Sequence, residues 1–414
     1  MNSTLTVRSA IRPGIPAAKA ADSSGSLSPA MAFYLQVSIA VSFLAGSSAP
    51  TPLYAMYQAH WGFSSIMVTV VFGVYALAVL AALLVFGSLS DYIGRRPVLI
   101  AASFVQAVTM LLFASAGSVD HLLIARVVQG LATGSAAAAV GAAMLDIDRT
   151  RGTVANAVAP IMGTALGALL GGVMAQYLPA PTHLVYLLLA VVFITQGIAV
   201  MFMPETAGGR AGAWASLKPQ FQLPPAVLKA LVPAVPVLLA VWALAGFYAS
   251  LGPAALRILT GSASLLIGGV TLFTMAGSGG LAVLALRNIA GPRMMALGAG
   301  GLATGVPVTL AGLVEYSTLI FFIGAVIAGA GFGAGFQGAV RSVMPHAAAH
   351  ERAGVLSLVY VVSYFALGVP AVIGGFRVMH GGGVYRTALE YGVAVTLLAL
   401  LALAAMLVQR RSRA

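Results

Sequence analysis

The stretch GSLSDYIGRRP, residues 87–97, lies where two long apolar runs, 64–90 and 97–117, meet. Each run is long enough for a helix to cross a hydrocarbon core of about 30 Å. Unbroken apolar runs of this length form helices, because in lipid each backbone group must bond within its own segment. The stretch is therefore predicted to be a short, charged turn between two membrane-spanning helices.

The composition extends this interpretation to the whole chain. Of 414 residues, 60% are hydrophobic and 7% are charged, whereas about 25% are charged in an ordinary soluble domain. The chain is therefore predicted to be an all-α membrane protein. Twelve spans are predicted, at residues 31–56, 64–90, 97–117, 121–145, 152–178, 182–203, 227–250, 263–286, 293–313, 316–342, 354–378 and 385–408.

The basic residues give the orientation. With a cytoplasmic N-terminus, 17 of the 21 Lys and Arg residues fall in inner segments and 3 in outer ones, with Arg126 inside a span. This asymmetry follows the positive-inside rule, so the net charge of +12 does not indicate a nucleic-acid partner. We expect a multi-pass protein of the bacterial cytoplasmic (inner) membrane with both termini in the cytoplasm.

The longest polar connection, 204–226, divides the chain into two six-helix halves, 31–203 and 227–408. Residues 1–30 and 409–414 are predicted to be cytoplasmic tails. Aligning Gly94 with Gly291 places the loop 286–294 on the loop 87–97, and two parallel repeats of this kind are typical of transporters. The halves are therefore predicted to be pseudo-symmetric.

Residues 87–96 fit a gating signature, and on it the chain resembles the major facilitator superfamily (MFS) of secondary transporters, across residues 31–408. The signature residues are Gly87, Leu89, Asp91, Gly94, Arg95 and Arg96. The resemblance implies that Asp91 acts as a latch toward the start of helix eleven, near Gly354, and toward Arg149 or Arg151. The alternative is a basic turn without a gating role.

A second motif lies in span four, where Arg126, Gln129 and Gly130 resemble the family's membrane-buried arginine motif. With Thr133, the first two share one helix face. An intramembrane arginine normally faces a polar interior or a cavity. The alternative is that Arg126 reaches the outer interface by snorkelling. Asp120 and His121 are the nearest candidates for titration.

A third motif, in span five, resembles the pattern of the antiporter branch, with Ala168 in place of its proline. Its glycines are Gly163, Gly167, Gly171 and Gly172. A generic small-residue packing face is the alternative interpretation.

The resemblance implies a central cavity near mid-membrane. Its candidate lining residues are Tyr75, Arg126, Gln129, Trp242, Tyr248, Gln337, Tyr360 and Tyr364. Aromatic and apolar walls with few polar groups suit small amphipathic ligands, although each aromatic residue could equally serve ordinary packing.

The leading hypothesis is alternating-access efflux of drugs or metabolites, driven by exchange for protons. Uptake or facilitated diffusion of a small organic anion is an alternative, as is a membrane sensor or scaffold without transport. No enzyme activity, cofactor or metal is predicted, because cysteine is absent, no nucleophile–base pair or phosphate-binding loop is visible, and the pair His346 and His350 follows Pro345 in an inner loop. We expect a monomer whose partners are its small-molecule substrate, lipid and protons.

Overall fold

The computed structural model describes residues 27–217, 225–262, 264–348 and 352–411, and within these ranges the chain is built from helices. In chain order the helices are α1 Pro29–Ser48, α2 Tyr54–Trp61, α3 Ser65–Phe86, α4 Ser90–Ile93, α5 Arg95–Ala114, α6 Val119–Ile147, α7 Arg149–Tyr177, α8 Pro181–Met201, α9 Ala213–Ser216, α10 Pro225–Leu231, α11 Val235–Ser250, α12 Gly252–Thr260, α13 Leu266–Ala285, α14 Gly291–Val314, α15 Thr318–Val343, α16 Arg352–Arg377 and α17 Gly383–Arg411.

These helices make twelve membrane crossings in the part of the chain that the structure describes. Ten segments are long and apolar enough to span, and α10 with α11 forms an eleventh that bends by 53°. One of the ten, Gly354–Val408, has 55 residues and would be about 80 Å long as a single helix. It breaks at His380 and Gly381, which separates α16 from α17 and confirms the twelve-helix fold.

Proline interrupts two of the predicted spans. Span one runs from Pro29 to Trp61 and is broken around Pro50 and Pro52. Span seven begins as α10, stops next to Pro233 and resumes as α11. Proline lacks the N–H that would continue the helical hydrogen bonds. Most of the predicted tail 1–30 lies outside the described residues, as do linker residues 218–224 and tail residues 412–414.

The described helices form two apolar cores. One is built from helices α1 to α8. The other is built from α10 to α17, with Ala157, Ile161, Ala165 and Ala168 of α7 added to it. The cores join where α3 packs on α16 and where α7 packs on α13. We call the two groups of six spans the N-half and the C-half.

We call the end of the bundle that carries the loop 87–97 the basic end. At the opposite end the two halves touch directly. Gln176 Oε1 of the N-half accepts hydrogen bonds from Ser264 Oγ and Leu265 N of the C-half, each at 3.0 Å. Gly375 lies against Thr69, so that a Cβ added to the glycine would be 2.8 Å from Thr69 Oγ1. The halves are therefore closed against each other at the opposite end.

Candidate functional site

Arg126 is fully buried in the N-half and bonded entirely to protein groups. Its Nε donates to the Tyr54 hydroxyl at 2.9 Å, and its Nη2 donates to the same oxygen. Its Nη1 donates to the Ser47 carbonyl at 3.0 Å and to Gln129 Oε1 at 2.5 Å. The guanidinium thus ties α6 to the end of α1 and the start of α2.

Aromatic rings enclose the same guanidinium. The Arg126 Cζ lies 5.3 to 5.7 Å from the ring centroids of Tyr75, Phe113, Phe72 and Tyr54, distances at which a cation is attracted to the ring face. This burial contradicts the snorkelling alternative. Asp120 and His121, expected near Arg126, are exposed at the opposite end and are not among its partners.

The rest of the arginine motif joins α6 to its neighbours. Gln129 is fully buried, and its Nε2 donates to the Gly46 carbonyl of α1 at 3.1 Å. Gly130 lies against α3, where a Cβ would be 2.5 Å from the Cβ of Ala78. Close helix approach of this kind requires a small residue.

Four of the predicted cavity residues come together at the junction of the halves. Tyr75 of α3 packs with Tyr360 and Tyr364 of α16. The ring centroids of Tyr364 and Trp242 of α11 are 5.6 Å apart. Two phenylalanines of α15 complete the set: Phe332 lies 5.8 Å from Trp242, and Phe336 lies 5.3 Å from Trp242 and 6.2 Å from Tyr360. We call these six residues the aromatic junction.

One fully buried polar atom in the aromatic junction has no partner among the described residues. The Trp242 Nε1 donor is buried and makes no hydrogen bond with any described residue. A buried indole N–H usually finds an acceptor. The junction therefore offers ring faces from both halves and a buried free donor.

Besides Arg126 and Gln129, two more predicted cavity residues lie outside the aromatic junction. Tyr248 is buried within the C-half, where its hydroxyl lies 3.4 Å from Thr309 Oγ1 and its ring is near Phe321. Gln337 is half-buried on α15 and makes no hydrogen bond with the described part of the chain. Neither belongs to the aromatic junction.

The gating loop is held by a charge network inside the N-half. Asp91 Oδ1 lies 2.5 Å from Arg95 Nη1, and Arg95 Nε lies 3.3 Å from Asp146 Oδ2 of α6. Arg95 also donates to Ser90 Oγ at 2.7 Å. Gly87 follows the last residue of α3 and Leu89 precedes α4, so the motif residues form a compact turn.

Glu205 completes this turn from the start of the predicted linker. Its carboxylate accepts from the backbone N–H of Arg95 at 2.8 Å and of Arg96 at 3.1 Å, which satisfies two free donors at the start of α5. Gly94 has φ +101°, and a Cβ there would lie 2.5 Å from Glu205 Oε2. Glycine is therefore required both by the turn and by the carboxylate beside it.

Of the implied latch partners of Asp91, neither Arg149 nor Arg151 pairs with it in the part of the chain that the structure describes. Arg95 is its ion partner, and Arg151 pairs instead with Asp148 at 3.6 Å. Residues 349–351, just before α16, lie outside the described residues, as does His350 of the predicted histidine pair. The gating role of Asp91 stays a prediction.

The glycines of span five form two separate contacts. Gly163, Gly167 and Gly171 lie on the backbone of α1, each so close that an added Cβ would overlap it. Gly172 faces the C-half, where its Cβ would be 3.2 Å from the Cα of Gly269. The motif thus packs α7 against α1 on one side and against α13 across the junction on the other.

Twelve spans in two halves, with aromatic side chains of both halves meeting between them, define a membrane transporter. The family profile of the Major Facilitator Superfamily matches residues 37–287. The chain belongs to this superfamily.

Solved structures agree on the fold. A bacterial homologue of the human lysosomal transporter Spinster, in an inward-facing and unoccupied conformation, aligns with a TM-score of 0.71 and 13% identity over 92% of this chain and 97% of that one. The nucleoside transporter NupG aligns with a TM-score of 0.65 and 11% identity over 90% of this chain and 98% of its own.

One curated relative matches locally. Multidrug resistance protein MdtL of Klebsiella pneumoniae (strain 342) is 31% identical over 117 residues, which are 26% of this chain and 30% of that protein. The chain therefore aligns with less than a third of the length of that relative.

Proposed function

We propose that this chain is a secondary transporter that exports small amphipathic organic molecules carrying an aromatic ring. The aromatic junction is the observation that carries the proposal. A flat ligand can stack on ring faces from both halves, and an acceptor atom on it can take the free Trp242 Nε1 hydrogen. Mostly apolar walls with a few placed polar groups are typical of such sites.

Alternating access fits the packing of the halves. They touch at the opposite end through Gln176 and through Thr69 with Gly375. These two contacts are made by small or flexible groups and one pair of hydrogen bonds, so they can break when this end opens. Rocking of the halves would then expose the aromatic junction to each side in turn.

The bonding of Arg126 argues against the organic-anion alternative. An anion in the membrane would bind at Arg126, the one basic residue well inside a predicted span, but four hydrogen bonds of its guanidinium go to the tyrosine hydroxyl, the amide and the carbonyl around it. An anion binding there would first have to displace these groups. We therefore propose that Arg126 positions α1 and α2 rather than contacting substrate.

Export, rather than uptake, is proposed from the local match to a multidrug resistance protein. Exchange for protons, the cytoplasmic location of the termini, the inner membrane and the monomeric state stay predictions. Within the described spans no carboxylate lies beside Arg126 or in the aromatic junction. Measuring export with and without an imposed pH gradient tests the coupling directly.

The proposal is tested by replacing Trp242 with Phe, which keeps a ring and removes the N–H. In proteoliposomes, export of a fluorescent aromatic probe with an acceptor atom should fall about tenfold. One lost hydrogen bond costs about 1.4 kcal/mol, which corresponds to a factor of about ten. An aromatic probe of the same size without an acceptor should be affected much less.

Tyr248→Phe is the matched control, because it also removes one polar atom from a buried C-half aromatic residue but lies away from the aromatic junction. Equal losses in both variants would contradict the proposed site. Export that is unchanged in Trp242→Phe and in Tyr364→Ala would overturn it. If the protein binds the probes in detergent but does not move them across the liposome membrane, it is a sensor or scaffold and the transport proposal is wrong.

A further inference from the structure

A cavity lies between the halves at the opposite end, apart from the aromatic junction. Its volume is about 60 Å³, where about 10–15 Å³ is enough for one water molecule. The N-half contributes Thr51, Tyr54 and Gln58 to the wall, and the C-half contributes Arg257 and Ser264. The cavity has room for a few waters or for one small ion with part of its shell.

Arg257 gives this cavity a positive charge without a counter-charge. It is half-buried and forms no ion pair or hydrogen bond with any described residue. Burial alone lowers the pKa of its guanidinium, and arginine still stays charged at neutral pH. Among the residues that line the cavity none is acidic.

Two hydroxyls among the lining residues can also donate a hydrogen bond. Thr51 is 4% exposed, and its buried hydroxyl has no partner in the described structure. The Tyr54 hydroxyl accepts from Arg126 and has no described acceptor for its own hydrogen. By contrast, the hydroxyls of Thr69, Ser250 and Ser264 already donate to other protein oxygens.

We propose that this cavity binds one small monovalent anion, a carboxylate or a halide, between Arg257 of the C-half and the Thr51 and Tyr54 hydroxyls of the N-half. A charged donor and two hydroxyls are groups that an anion needs, and a half-buried arginine without a counter-charge favours an anion beside it. The site depends on the proposed function only in requiring that the halves separate at this end.

Because its donors come from both halves, the anion should stabilise the conformation in which this end is closed. A ligand shifts a conformational equilibrium only as far as its affinities for the two states differ. When the halves part, Arg257 moves away from Thr51 and Tyr54, and the anion loses part of its shell. Bound anion should therefore slow opening at this end.

Two measurements on the purified full chain in detergent test the site. The first is thermal unfolding at constant sodium and ionic strength, with acetate replacing gluconate, which is too large for the cavity. The second uses the absence of native cysteine: Ala254→Cys places one thiol in the cavity wall, and the rate of its maleimide labelling reports opening. Ser115→Cys, exposed at the same end, is the labelling control.

Acetate should raise the unfolding temperature with a saturable dose dependence and slow labelling at position 254 but not at position 115. Arg257→Gln should weaken the apparent acetate affinity at least about tenfold, as expected for losing a charged hydrogen bond. Thr51→Val should weaken it too while keeping the protein folded, because it removes only an unpaired hydroxyl. Arg386→Gln, an exposed arginine paired with Glu390 at this end, should leave it unchanged.

The source of the anion is distinguished by the probe. Protection by acetate or chloride shows that a free small anion suffices, whereas protection by benzoate at a much lower concentration than acetate shows that the carboxylate belongs to a larger molecule. An acetate effect that is absent in wild type, or equal in wild type, Arg257→Gln and Thr51→Val, would overturn the proposal. Because no transport is measured, a failure here is separate from a failure of the proposed export.

Discussion

The two halves share one helical arrangement, but their interiors differ in chemistry. Fifteen polar or charged residues are buried in the N-half, and only four are buried among the described residues of the C-half. Those four are Thr271, Thr309, Ser363 and Thr387. The N-half interior includes Arg126 and Gln129, whereas the C-half supplies five of the six aromatic junction residues.

The corresponding loops differ in the same way. In the N-half, the loop 87–97 is bonded by Asp91, Asp146 and Glu205. In the C-half, the loop 286–294 contains no acid, and Asn288, which aligns with Asp91, is exposed. There Arg341 donates a single bond to the Arg287 carbonyl at 2.7 Å.

The difference suggests a division of roles. A network of directional bonds fixes helix positions in the N-half, while ring faces in the C-half can adapt to ligands of varied shape. Repetition of a fold therefore does not require repetition of its chemistry. Matched substitutions in the two halves test whether the N-half depends on its bonded network and the C-half does not.

The largest effect is expected from a disulfide that joins the halves. Cys replacing Thr69 and Gly375 would be close enough to bond, since the Cβ at 375 would lie 2.8 Å from the present Thr69 Oγ1 and disulfide geometry needs Cβ atoms about 3.5–4.5 Å apart. Oxidation should abolish export in liposomes by holding the opposite end closed, and reduction should restore it.

Each single cysteine variant should export equally under oxidising and reducing conditions. The double variant must also show loss of free thiol on oxidation. A fully oxidised pair that still exports would mean that the halves need not separate at this end.

A large effect is also expected from Arg126→Lys. Lysine keeps the charge but lacks the planar fork that bonds Tyr54, the Ser47 carbonyl and Gln129 together. Unpaired buried polar groups cost about 1–3 kcal/mol, so export should fall more than tenfold and the unfolding temperature should drop. Arg126→Ala leaves the same groups unpaired, so it should also impair folding.

Arg341→Lys in the C-half is the control, because lysine can replace its single bond to a carbonyl. It should remain near wild type in stability and export. If Arg126→Lys behaves equally well, the N-half network does not depend on the guanidinium, and the contrast between the halves is wrong.

The spans were predictable from sequence because a 20-residue apolar run has one stable form in lipid. Arg126 was predictable as an intramembrane charge, but its partners were not, since Tyr54 and the Ser47 carbonyl come from a proline-broken segment. Trp242, Tyr75, Tyr360 and Tyr364 were predicted for the cavity from their type and span. Phe332 and Phe336 were missed because nothing in their spacing separates a junction face from ordinary packing.

Glu205 was underestimated for a similar reason. It belongs to none of the three motifs, and its role depends on a contact with α5 that is far away in sequence. Glu205→Ala should destabilise the protein by about 0.5–2 kcal/mol, as for the loss of a helix N-cap. Asn288→Ala in the matching C-half loop should stay within about 0.5 kcal/mol. Unfolding temperatures of the purified variants compare the two, and equal shifts would contradict the capping role.

The smallest effect on stability is expected from Asp91→Asn. The Asp91 side chain is 46% exposed, and an exposed pair four residues apart contributes about 0.3–0.5 kcal/mol. Arg95 keeps Asp146 and Ser90 as partners, so the turn should survive. If Asp91 instead biases the conformational equilibrium, the substitution should slow export several-fold while the dissociation constant of an aromatic probe changes little, since the loop does not touch the aromatic junction. Equal losses of rate and affinity would mean that the turn had collapsed, and an unchanged rate would leave Asp91 as a basic-end turn residue without a gating role.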